Sequence, residues 1–160
     1  MLSVVRKRIR CKVGEIVEIP LRNKKYGYAL VLRKDKFGLL LVVHKEIFED
    51  SQSIELWEGQ EFSQGTIAYV NPASGRQRWR HVGQITEIPD FSQGLTMFYG
   101  NSISGWTVVT SDGNQQFFKG SDITYEKLIG RGYLHKILWL GEDIEKFIEF
   151  DIPLVWPGKK

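Results

Sequence analysis

Between Glu15 and Val43 the chain presents three short runs of strand-forming residues, each closed off by a proline, a turn or a cluster of charge. Glu15-Ile16-Val17-Glu18-Ile19 alternates polar and apolar side chains and stops at Pro20. That is the period of a half-buried strand, and proline ends it because it has no amide to donate to a ladder. Asn23 to Lys25 supplies a polar turn, Tyr26 to Leu32 reads as the partner strand, and Arg33-Lys34-Asp35-Lys36 breaks it. Phe37 to Val43 is nearly continuous in apolar side chains, the pattern of a strand buried on both faces. Three such runs in succession predict an antiparallel meander.

The rest of the chain continues in the same style. Residues 44–65 are polar and acidic, and either a helix-and-loop insertion or an exposed connection fits them. Thr66 to Val70 is a further strand, followed by the turn-forming Asn71-Pro72-Ala73-Ser74-Gly75, and a strand around Trp79 to Glu87 ends near Pro89. Trp106 to Thr110 and Gln116 to Phe118 flank Ser111-Asp112-Gly113-Asn114, and Asp-Gly favours a two-residue type I′ hairpin turn. Ser121 can cap a short helix running through Leu128 to Gly130, His135 to Leu140 reads as a last strand, and Glu142 to Phe147 as a helical turn. The expected class is mainly β (α+β), a twisted antiparallel sheet or partly open barrel of about seven to nine strands with one or two short helices. Gly14-Glu15-Ile16-Val17-Glu18-Ile19-Pro20 is echoed by Gly83-Gln84-Ile85-Thr86-Glu87-Ile88-Pro89, which either a duplication or convergence of proline-ended strands would produce.

A chain of 160 residues is the size of one domain, expected to span 1–160. Hydrophobic residues at 42% and charged residues at 26% are ordinary globular values. The lone cysteine, Cys11, can form no intramolecular disulfide, no basic-then-apolar leader opens the chain, and Leu39 to Val43 falls far short of the roughly 20 apolar residues of a spanning helix. A cytoplasmic location without membrane association is the expectation. The net charge of +3 is unevenly spread: residues 6–12 are basic, whereas Glu46, Glu49, Asp50, Glu55, Glu58 and Glu61 make the next region acidic.

No constellation for chemistry is legible. Zinc sites need several close-spaced ligands, yet His44, His81 and His135 are far apart and Cys11 has no near partner. Gly100-Asn101-Ser102-Ile103-Ser104-Gly105 places its serines wrongly for a nucleophile elbow, and there is no phosphate-cradling loop. A binding protein with no catalytic residues, metal or cofactor is expected. The strongest polar group is Arg76, Arg78, Trp79, Arg80 and His81, since arginine and tryptophan are common interface anchors; equally, Trp79 can pack in the core while the arginines stay in solvent. Glu55, Glu58 and Glu61 form the acidic counterpart.

The stretch Val13 to Leu21, followed by Tyr26-Gly27-Tyr28-Ala29-Leu30-Val31-Leu32, resembles the opening signature of the Immunity protein 26 family, a Gly-acid-aliphatic-x-x-Ile-Pro-Leu strand, a short turn and an aromatic-Gly-aromatic strand. Arg78-Trp79-Arg80-His81-Val82-Gly83 is similar to its second block, although Asn23-Lys24-Lys25 replaces a common Asp-Gly turn. The resemblance implies a bacterial immunity protein that binds and neutralises a cognate toxin of a polymorphic toxin system by occlusion, and it carries over no catalytic residues. Some relatives bear an organophosphate-hydrolase label, which implies a metal-dependent phosphotriesterase-like alternative. A nucleic-acid-binding module using Arg6 to Lys12 and the Arg76 to Arg80 segment is the third possibility.

Overall fold

The computed structural model describes residues 8–71, 78–88, 95–152 and 154. They pack as two compact units, the first drawn from residues 8–71, 78–88, 138–152 and 154, the second from residues 95–137.

The first unit is a six-stranded sheet. It contains β1 (Glu15–Pro20), β2 (Tyr26–Lys34), β3 (Leu39–Val43), β4 (Thr66–Val70), β5 (Arg80–Gln84) and β10 (Leu138–Trp139), in the order β10-β4-β3-β2-β1-β5. All neighbours are antiparallel except β10 and β4. One face presents Val17, Ala29, Val31, Leu41, Val43, Ala68 and Val70, covered by Ile144 and Ile148 of α2 (Gly141–Phe150) and by Ile9 and Cys11. The opposite face presents Ile16, Tyr28, Leu30, Leu40, Val42 and Tyr69, all buried. Phe48, Trp57 and Phe62 of the following connection pack against it through Tyr28 and His44. Every residue of β3 is buried as a result, which is what its apolar run predicts. Each such Leu or Val contributes about 1.5–3 kcal/mol of transfer free energy.

The second unit is a four-stranded sheet of order β8-β7-β6-β9, from β6 (Met97–Asn101), β7 (Gly105–Val109), β8 (Gln115–Phe118) and β9 (Leu134–His135). Phe98, Trp106 and Val108 pack with Tyr125 and Leu128 of α1 (Tyr125–Gly130), and His135 stacks on Phe98 at 4.8 Å.

The mainly β class with short helices holds. The described strands number ten in two mixed sheets, without a closed barrel. Some local expectations are corrected. The 135–140 segment splits into β9 and β10, which join different sheets. Thr124, not Ser121, caps α1, its hydroxyl accepting the Lys127 amide at 3.2 Å. The β7–β8 connection spans Thr110 to Asn114, not two residues: only Gly113 takes positive φ, and the Asp112 carboxylate ties Thr110 to Asn114. The second half of the Gly-x-Ile-x-Glu-Ile-Pro echo leaves the sheet after Gln84, so its two copies are not equivalent strands; Pro89 lies outside the described residues. Among the described residues no helix is long and apolar enough to cross a membrane.

Candidate functional site

The alternation of β1 predicts one wet face, but both its glutamates are buried, Glu15 at 0% and Glu18 at 1% exposure. Each has replaced its water with donors. Glu15 accepts the amides of Arg10 at 2.6 Å and Cys11 at 2.8 Å, and the Nδ1–H of His81 at 2.7 Å. His81 reaches it because β5 carries a bulge opposite Ile16 and Val17, which leaves Val82 without a register partner. On the other face Glu18 accepts the hydroxyls of Tyr28, at 2.8 Å, and Ser51, and lies 3.8 Å from the Arg80 guanidinium. The Tyr28 oxygen accepts the Gln52 amide at 2.6 Å. Burial pushes the Tyr28 phenol up to about 12, so it stays a donor at neutral pH.

These contacts place the arginine-rich segment. Trp79 lies in the core at 2% exposure and His81 is turned inward to Glu15. Arg78 is half exposed and pairs with Glu145 of α2 at 2.6 Å, and Arg80 reaches toward Glu18. Burial raises the Glu145 carboxyl, and the Arg78 guanidinium opposes that rise. Both arginines line a groove of about 570 Å³ beside α2 in which four cationic side chains are interleaved with three glutamates. Arg76 lies outside the described residues.

The 44–65 connection is a cover latched to the sheet. Ser51 and Gln52 bond the Glu18–Tyr28 pair, Ile54 packs on Gly83, and the Trp57 ring stacks on His44 at 5.4 Å among Tyr28, Phe48 and Phe62. A β-carbon at Gly83 would meet the terminal methyl of Ile54, which would have to swing aside. Burial holds His44 below the usual imidazole range, against the raising effect of Glu46 and Glu61. Outside this apolar lining, Glu55, Glu58 and Glu61 are exposed and none forms an ion pair among the described residues. Leu56, between Glu55 and Glu58 in the chain, is 91% exposed. A second groove, of about 500 Å³, runs between residues 57–60 and 84–88. Its far wall includes Glu87, which motif reading passed over although it stands inside the proline-ended echo.

His44 and His81 lie on opposite faces of one sheet and His135 in the second unit. Among the described residues no three His, Cys, Asp or Glu side chains form a group that could hold a metal ion.

Residues 12–106, more than half of the chain, match Immunity protein 26. The chain belongs to the Immunity protein 26 family. The Immunity protein 26 region runs from the approach to β1 into β7, and every position of the arginine and acidic groups falls within it. No curated protein and no solved structure matches the chain.

Proposed function

We propose that residues 1–160 act as one immunity domain that binds a cognate toxin of a polymorphic toxin system and neutralises it by covering its working surface. The observation that carries this is that Glu55, Leu56, Glu58 and Glu61 of one connection are all exposed and none of the three glutamates forms an ion pair among the described residues, which combines unneutralised negative charge with an apolar knob. Complementary charge steers encounter and a few apolar anchors supply affinity. The arginine segment is the weaker half of the surface, because Arg78 and Arg80 already face carboxylates of their own chain. A metal-dependent hydrolase would most simply need its histidines together, and the first unit holds His44 and His81 on opposite faces of one sheet. The test is co-expression with the toxin encoded beside the gene: growth rescue and co-purification are expected, and a chain that neither rescues nor co-purifies ends the proposal.

A further inference from the structure

We infer that the groove between residues 57–60 and 84–88 is a receptor for a cationic side chain, arginine above all, presented by the protein partner. The partner's identity rests on the toxin-binding reading, but the groove's preference for positive charge does not.

The walls supply what a guanidinium takes. Glu58 comes from one lining segment and Glu87 from the other, both exposed, and Trp57, Ile85 and Ile88 add apolar lining. A guanidinium is weakly hydrated, stacks on aromatic faces and bonds carboxylates through a planar fork, whereas an ammonium prefers water. Among the described residues no lysine, arginine or histidine lines the groove. That separates it from the groove beside α2, where the chain's own cations and anions neutralise one another. The surroundings reinforce the sign: residues 45–61 carry six acidic side chains against Lys45 alone, in a chain of net charge +3.

Both walls are fixed before a partner arrives. Trp57 is held by Tyr28, His44, Phe48 and Phe62, at ring separations of 5.1 to 5.9 Å. The far wall is pinned by the Ile85 amide on the Gly14 carbonyl at 2.8 Å and by the Gln84 side-chain amide on the Val13 carbonyl at 2.7 Å. Little ordering is left to oppose binding. Leu56, next to Trp57 in the chain and 91% exposed, offers the same partner an apolar contact.

The test uses the full chain, a peptide of alternating glycine and arginine, the same peptide with citrulline for arginine, and the toxin encoded beside the gene. Titration calorimetry should show the arginine peptide binding in a salt-sensitive way and the citrulline peptide not binding. The E58Q/E87Q double variant should lose roughly tenfold in affinity for both the arginine peptide and the toxin, while E142Q/E149Q, in the other groove, changes neither. Unchanged melting would show that E58Q/E87Q is folded. If E58Q/E87Q binds and rescues as the wild type does, the groove assignment is overturned and the toxin reading stands. If the citrulline peptide binds as well as the arginine peptide, the assignment is equally overturned. If the wild type binds the arginine peptide selectively but neither binds nor neutralises the toxin, the groove stands and the toxin reading falls.

Discussion

A carboxylate leaves water only where donors take over its hydration, and Glu15 and Glu18 show two ways of arranging this on one strand. Glu15 binds backbone amides of the N-terminal approach, whereas Glu18 binds the hydroxyls that fasten the 44–65 cover. Tyr28→Phe keeps the ring packing but removes a donor from Glu18 and an acceptor from the Gln52 amide. It should cost about 1–3 kcal/mol in urea unfolding; a midpoint equal to the wild type's would show that the latch contributes nothing. His135 gives a pH dependence of known sign. Burial against Phe98, Trp106 and Tyr125 lowers its folded pKa from 6.5 to about 4. The unfolded chain therefore takes up a proton first as pH falls. Its contribution is fully present above about pH 6.5 and is lost progressively toward pH 4, by up to about 3 kcal/mol in all. His135→Leu should flatten that part of the stability profile, and an unchanged slope between those pH values would refute the assignment.

At the scale of the element, the glycine-and-proline punctuation of β1 is legible in the sequence, and the structure supplies its reason. Gly14 has φ of 88°, and a β-carbon there would collide with the carbonyl oxygen of Ile85. Gly14→Ala should therefore destabilise by about 2 kcal/mol or more, read as a lowered melting temperature; an unaltered melt would contradict the backbone strain. In β3, Leu41 is fully buried, and Leu41→Ala should cost about 2–5 kcal/mol. Strand β3 begins at Leu39 rather than Phe37 and β1 includes Pro20, which pairs with Tyr26, whereas the bounds of β4 follow from a run of neighbouring residues. Those of β9 and β10 do not, since two-residue strands exist only through their pairing with β6 and β4. The bulge in β5 is equally invisible locally, because it is defined by what lies opposite on β1.

For the whole molecule, charge sorts the two grooves. The α2 groove interleaves both signs, whereas residues 44–61 carry six acidic side chains against the single cation Lys45. Charge reversal by E55K/E61K should slow toxin association more than it speeds dissociation and weaken the salt dependence of the on-rate. Arg78→Ala should leave both rates near wild type, because Arg78 is spent on Glu145. Surface plasmon resonance at two ionic strengths separates the two outcomes, and an Arg78→Ala effect larger than that of E55K/E61K would move the binding face to α2.

The sequence by itself determined the mainly β class, the meander of β1 to β3, the family and the acidic character of residues 44–61, because periodicity, punctuation and composition are recorded residue by residue along the chain. Only the tertiary structure decided that both faces of β1 are dry, that Trp79 and His81 turn inward, that His44 and His81 are separated by a sheet, and that Glu58 and Glu87 line one groove. The reason is physical. Alternation tells which side chains share a face of a strand, but what covers that face comes from residues distant in the chain.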